Sequence, residues 1–260
     1  MIGIDIGSGY VKVVALHRRA GKLGVRSVGV ASLPAGGSDN GDIDPSAVAR
    51  AIRNALDSAG LRHPAAMCGL PRHTLVARLL PIPGEPSPRA AQAALTEAAR
   101  MLPFPSSEAV TGVRMWSHGG EETIALAAAA RAAVVHAYRT AIANAGVRLK
   151  GLGVGTHAAE AVAGFSGSEP WVLLDIGARS TCMDILADGV LQSTRATMLG
   201  GEDLTRAFAA DLGCDAERAE EVKRSQGLAA VAQQDPSGKT RPCPATNAWL
   251  EQLATEIRLL

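Results

Sequence analysis

The chain opens MIGIDIGSGYVKVVAL, an apolar run that breaks after an aspartate into Gly-Ser-Gly and then resumes. The patterns of Met1–Ile6 and Val11–Leu16 predict two strands flanking a glycine-bearing turn, and Leu23–Leu33 predicts a third strand. Pro34–Asp42 has the glycine and serine content of a loop. Asp44 then supplies a helix cap with Pro45 at the first helical position, where a missing N–H costs nothing. Val48, Ala51, Ile52, Ala55, Leu56 and Ala59 share one face of that helix, and Gly60 ends it. Beyond it the pattern reads strand, strand, helix, strand, strand: Ala65–Leu70, Thr74–Pro81, Ser87–Leu102, Ala109–Trp116 and Thr123–Ala130. A helix at Ala132–Ala145 places Val134, Val135, Tyr138, Ala141 and Ile142 at helical spacing before Gly146. Leu149–Val154 reads as a strand and His157–Ala163 as a short helix.

Gly164–Pro170 (GFSGSEP) breaks both periodicities and reads as a hinge. Three strands around Val172–Leu174, Thr181–Leu186 and Val190–Thr197 follow, then helices at Asp203–Leu212 and Ala216–Ser225. Gln226–Thr246 has loop composition and is expected to be a flexible insertion. Asn247–Leu260 reads as an amphipathic helix with Trp249, Leu250, Leu253 and Ile257 inward.

Composition narrows the classes. At 260 residues with 47% hydrophobic and 20% charged, the chain has room for two domains and a substantial core. A net charge of +1 with no lysine or arginine block gives sequence-independent nucleic-acid or membrane-surface binding little support. Cys68, Cys182, Cys214 and Cys243 are far apart, without zinc spacing, as expected of reduced thiols. The N-terminal apolar run holds Asp5 and lacks a basic start, so no secretory leader is expected. No uncharged segment reaches the ~20 apolar residues of a membrane span. A role at a membrane therefore needs another molecule to hold the chain there.

The chemistry sits in four short motifs. In Asp5-Ile6-Gly7-Ser8-Gly9-Tyr10-Val11-Lys12, the turn Gly7, Ser8 and Gly9 lets backbone N–H groups converge on an anion. Asp5 can hold a magnesium ion through water, and Lys12 can meet phosphate oxygens as a point charge. The plain alternative is a tight hairpin. Asp175-Ile176-Gly177-Ala178-Arg179-Ser180-Thr181 repeats the grammar in the other half of the chain, with Ser180 and Thr181 hydroxyls in place of a lysine. Gly200 and Gly201, in Leu199-Gly200-Gly201-Glu202-Asp203-Leu204-Thr205, open a helix whose first N–H groups make a ready anion site; the plain alternative is that they only allow the turn, with Glu202 or Asp203 capping. Glu220 and Lys223 lie three apart on a helix face, which on its own is an ordinary surface pair. Asp235–Thr240 ends like a phosphate-binding Walker loop, but no strand precedes it and Arg241-Pro242-Cys243-Pro244 argues against a following helix. The scattered histidines give zinc catalysis and hydrolytic triads no support.

In this order the four motifs resemble the actin-like ATPase superfamily of actin, hexokinases, the large heat-shock chaperones and the cell-division protein FtsA. The nearest pattern within it is the PilM family of type IV pilus assembly proteins. The resemblance is carried by GIDIGSGYVK, by Gly69-Leu70-Pro71 with Leu79–Pro83, and by Met101-Leu102-Pro103-Phe104-Pro105. AAARAAVVHAYRTAIANAGVRLKGL and LGGEDLT carry it further. It implies an α/β, actin-like ATPase (RNase-H-like) two-domain fold. The first domain would span 1–164 with a small α+β subdomain inserted at about 68–130, and the second would span 165–260. It implies ATP and Mg2+ as cofactors, with Asp5 and Asp175 near the metal and Glu220 and Lys223 against the ribose and adenine. It also implies a partner: the cytoplasmic N-terminal tail of a PilN-like bitopic inner-membrane protein, received between insert and first domain, which would hold a cytoplasmic chain peripherally at that membrane. The family runs on through a final glycine-pair loop over the adenine, so residues 165–260 are expected to make an incomplete second domain and adenosine pocket. Activity is expected to be at most a weak ATPase. The rival readings are a sugar kinase or vigorous ATPase, with Asp175 or Asp184 as base, and an FtsA-like filament protein.

Overall fold

A computed structural model describes residues 1–34, 37–39, 42–62, 64–118, 122–155, 169–187, 190–234 and 240–259. The helix expected at His157–Ala163 and residues 164–168 of the expected hinge lie outside this set. In chain order the elements are β1 (Ile2–Ile6), β2 (Tyr10–Arg19), β3 (Lys22–Ser32), β4 (Ser38–Asp39), β5 (Asp42–Ile43), α1 (Pro45–Ser58) and β6 (Ala65–Leu70). A 3-10 turn at Arg72–Thr74 leads to β7 (Leu75–Pro83), α2 (Pro88–Arg100), β8 (Ala109–His118), β9 (Glu122–Arg131), α3 (Ala132–Asn144) and β10 (Arg148–Val154). Then come β11 (Trp171–Ile176), β12 (Thr181–Ala187), β13 (Val190–Thr197), α4 (Gly201–Leu212), α5 (Ala216–Gln226), β14 (Ala232–Gln234), β15 (Thr240–Pro242) and α6 (Pro244–Arg258).

The first sheet has the order β10-β6-β1-β2-β3. β1 pairs antiparallel with β2 and parallel with β6, which in turn pairs parallel with β10. Its core face buries Ile4, Ile6, Val11 and Val13 under α1 and α3, against Val48, Ile52, Leu56, Tyr138 and Ile142. Asp44 caps α1 by accepting from the Ser46 N–H at 2.8 Å. α1 lies so close to β3 that a Cβ on Gly29 would stand 1.8 Å from the Ala55 carbonyl oxygen, so only glycine fits there.

Residues 75–131 build a separate three-stranded sheet, β7-β9-β8, with α2 on one face. The helix approaches closely because both surfaces are alanine: Ala94 and Ala98 meet Ala125 and Ala127. The opposite face packs Ala77, Leu126 and Ala128 against Leu186 and Leu191 of a third sheet, β11-β12-β13. Trp116 and Trp171 border this seam and Trp249 lies in the α4–α6 core, as expected of packing residues.

Two expectations need correction. Gln226–Thr246 is not simply a loop. A 3-10 turn at Gly227–Val231 buries Val231, and β14 pairs with β15. The final helix begins at Pro244 rather than Asn247, so the proline that argued against a helix occupies its tolerated first position. Its next N–H groups, of Ala245 and Thr246, donate to the Asp211 carboxylate at 3.0 and 2.8 Å, a cap supplied by α4. Trp249 and Leu253 face inward as expected, whereas Ile257 is exposed. All four cysteines are free, Cys68 fully buried.

Candidate functional site

The two Asp-Ile-Gly loops fold alike. Gly7 N–H donates to the Tyr10 carbonyl at 3.0 Å, and Gly177 N–H donates to the Ser180 carbonyl at 2.9 Å. Each loop closes one antiparallel strand pair, β1–β2 and β11–β12, and each aspartate ends the first strand of its pair with an exposed side chain. The loops meet: a Cβ on Gly9 would stand 3.2 Å from the Ala178 Cβ.

Their surroundings differ. Asp5 sits opposite Lys12 in register, and Lys12 Nζ donates to Asp5 Oδ2 at 3.1 Å. The pair is 55% and 62% exposed, so a ligand can part it at small cost. Opposite Asp175 stands Cys182, whose thiol is pushed up to about 12 by burial and by the Asp184 carboxylate. The Thr181 hydroxyl is buried and donates to the Leu199 carbonyl at 2.6 Å. Ser180 Oγ lies 3.3 Å from His73 Nδ1.

The start of α4 is docked on the second loop. Gly201 and Glu202 N–H donate to the Gly177 and Ala178 carbonyls at 2.9 and 2.7 Å, and Gly200 N–H donates to Asp203 Oδ2 at 2.7 Å. The amides expected to be free for an anion at Gly200 and Gly201 are thus engaged in holding the loop. Glycine is required at the junction, since a Cβ on Gly200 would stand 2.6 Å from the Ala178 carbonyl oxygen. Arg179 turns to Glu202, 2.9 Å away.

Glu220 and Lys223 are more than a surface pair. Lys223 Nζ lies 2.6 Å from Glu220 Oε2 and donates to the Gly201 carbonyl at 2.9 Å and the Thr205 hydroxyl at 2.7 Å. Burial pushes the Glu220 carboxyl up, but hydrogen bonds from Lys223, Thr205 and Arg224 outweigh it and hold the group down at about 2. Arg224 bonds Glu220 Oε1 at 2.7 Å and the Tyr10 hydroxyl at 2.5 Å, so α5 reaches across to the first loop. Tyr10, Thr205, Arg224 and His73 were not singled out from sequence. Each lies inside or beside a recognised motif, but its role depends on a neighbour distant in the chain.

Asp5 and Asp175 are joined by no ion pair or hydrogen bond among the described residues, nor does any group of three or more His, Cys, Asp or Glu form a metal cage there. Exposed carboxylates, that of Asp5 held only by the exposed Lys12, suit a magnesium ion that keeps its water shell and is held partly by phosphate. Asp184 is 3% exposed; burial raises its carboxyl, against the pull of Thr194 and Arg72. No helix among the described residues is long and apolar enough to cross a membrane.

Sheets of this topology, joined through paired Asp-Ile-Gly loops, define a protein of the actin-like ATPase fold. The chain belongs to the family of the type IV pilus assembly protein PilM, whose sequence profile matches residues 3–235. It is similar to a solved PilM-PilN type IV pilus biogenesis complex at 26% identity and TM-score 0.82, covering 99% of this chain and 75% of that one. Looser likeness extends to the ethanolamine utilization protein EutJ from Carboxydothermus hydrogenoformans, at 17% identity and TM-score 0.48 over 86% of this chain and 60% of that one. The cytoplasmic domain of EpsL, an inner membrane component of the type II secretion system of Vibrio cholerae, matches at 12% identity and TM-score 0.45 over 81% and 73%.

Proposed function

We propose that this chain is a cytoplasmic scaffold of type IV pilus assembly that binds the N-terminal tail of a PilN-like bitopic inner-membrane protein and uses nucleotide as a conformational ligand. Membership of the PilM family and the likeness to a PilM-PilN complex support the partner. The partner, not the chain, supplies the membrane anchor. In this reading residues 1–164 form the first domain and 165–260 the second; the partner-binding insert expected at about 68–130 narrows to the three-stranded sheet of residues 75–131, because β6 belongs to the first sheet.

The observation that carries the nucleotide part is the meeting of Gly9 with Ala178, which supports reading the two loops as opposite walls of one phosphate site. ATP supplies the phosphates. Gly7, Ser8 and Gly9 receive them from one side, and Gly177 and Ser180 from the other, with Gly200 and Gly201 fixing the second loop; Thr181, expected from sequence to offer its hydroxyl, instead braces the loop, because that hydroxyl is buried on the Leu199 carbonyl. Lys12 leaves Asp5 for a phosphate oxygen, which frees Asp5, with Asp175, to hold the waters of Mg2+. Glu220 and Lys223 face the ribose and adenine.

Binding outranks turnover in this account. A vigorous kinase or ATPase needs an accessible base in the cleft. Asp184 is closed in. Asp175 is exposed but is given in this reading to the waters of Mg2+, so any ATPase activity is expected to be weak. The test is a pull-down with an immobilised N-terminal tail peptide of a PilN-type protein. Retention of the chain is expected, altered by ATP–Mg; no retention with or without ATP–Mg overturns the scaffold reading.

A further inference from the structure

The Arg72–Thr74 turn joins the first sheet to the three-stranded sheet, and two of its side chains cross to the third sheet. His73 Nδ1 lies 3.3 Å from Ser180 Oγ, inside the second loop. Arg72 Nε donates to Thr194 Oγ1 on β13 at 3.2 Å, while its Nη1 donates back to the Leu75 carbonyl at 3.0 Å. The turn is stiff: Thr74 donates to the Pro71 carbonyl through its N–H at 3.0 Å and its hydroxyl at 2.8 Å. A shift of His73 thus has a hydrogen-bonded route to the start of β7, where Arg72 meets the Leu75 carbonyl. Beyond the turn, the packing of Ala77 and Leu126 on Leu186 and Leu191 keeps the two sheets in register.

We propose that His73 is a positioning residue of the nucleotide site, supplied by the turn that opens the three-stranded sheet, and that it couples phosphate at Ser180 to the partner-binding insert. This rests on the nucleotide reading above. Ser180 has a single hydroxyl proton. Without phosphate it can donate that proton to His73 Nδ1. A phosphate oxygen at the second loop accepts only, so it takes the Ser180 proton, and His73 must then present Nδ1–H to the Ser180 oxygen. Phosphate thus selects one tautomer of His73. Burial lowers the affinity of this imidazole for a second proton, so the ring stays neutral and the tautomer carries the signal. The coupling is reciprocal: a partner that repositions the insert alters nucleotide affinity by the same factor.

The test uses the full chain and ATP–Mg as probe, with histidine nitrogen NMR and hydrogen exchange of Leu75–Pro83 as readouts. In the parent protein, ATP–Mg is expected to move His73 to the Nδ1–H form and to change exchange in Leu75–Pro83. His73→Leu is expected to lose the exchange response while ATP affinity changes by less than about tenfold, the range of one hydrogen bond. His73→Asn, whose amide reaches the position of Nδ1, is expected to restore the response, and Thr194→Val to weaken it. Binding of ATP–Mg with the same exchange response in parent and His73→Leu overturns the coupling and leaves the nucleotide reading intact. Failure of the parent chain to bind ATP–Mg overturns both.

Discussion

The loops at Asp5–Lys12 and Asp175–Thr181 share strand pairing and the closing hydrogen bond, yet they are held in opposite ways. The first is local. Its aspartate and lysine come from the same strand pair, and the end of β3 steadies it where Leu33 N–H donates to the Gly9 carbonyl at 2.9 Å. The second is assembled from three parts of the chain: its own strands, the first turn of α4 and His73 of the turn before β7. The same short motif can therefore be a preformed grip in one half and a jointed one in the other. A jointed grip is the place where a signal can enter.

The sharpest way to break this contrast is at the joints. Gly200→Ala drives a Cβ against loop backbone and is expected to destabilise the chain by about 1–3 kcal/mol in urea denaturation, as overpacking does. Gly7→Ala meets only the Tyr10 carbonyl oxygen, at 3.2 Å, and is expected to cost less. Equal effects would remove the distinction between the loops.

Next in size is the pH dependence of Glu220. Its carboxyl takes a proton near 4.5 when unfolded but only at about 2 when folded, so the unfolded chain binds more protons between these values. The stability it lends is present above about pH 4.5 and is lost as pH falls toward 2. The difference in stability between parent and Glu220→Gln should accordingly be full at neutral pH and shrink through that window; a constant difference contradicts the network drawn around Lys223. Smallest is Tyr10→Phe, which removes only the exposed bond to Arg224 and is expected to cost at most about 1 kcal/mol.

Much of this was legible in the sequence because it is periodic or local. Both Asp-Ile-Gly loops, the strand–helix–strand–strand run of residues 75–131 and the capped helix α1 follow from spacing and turn chemistry alone. What escaped was supplied from a distance. Prolines at 242 and 244 read as breakers, but the cap that lets α6 start at Pro244 is Asp211, on another helix. Glu220 and Lys223 read as a surface pair, because Thr205 and Gly201, which complete their network, stand a helix away. The engagement of the α4 amides by Gly177 and Ala178 likewise has no local signature.

The proposed function turns on whether the two loops bind nucleotide, and isothermal titration of ATP–Mg into the chain and into Asp5→Ala tests that most directly. Measurable heat from the parent is expected, with affinity weakened about 10–100-fold in Asp5→Ala, the usual cost of losing a carboxylate that orients a metal's waters. No heat from the parent, or equal affinity in both proteins, would contradict it.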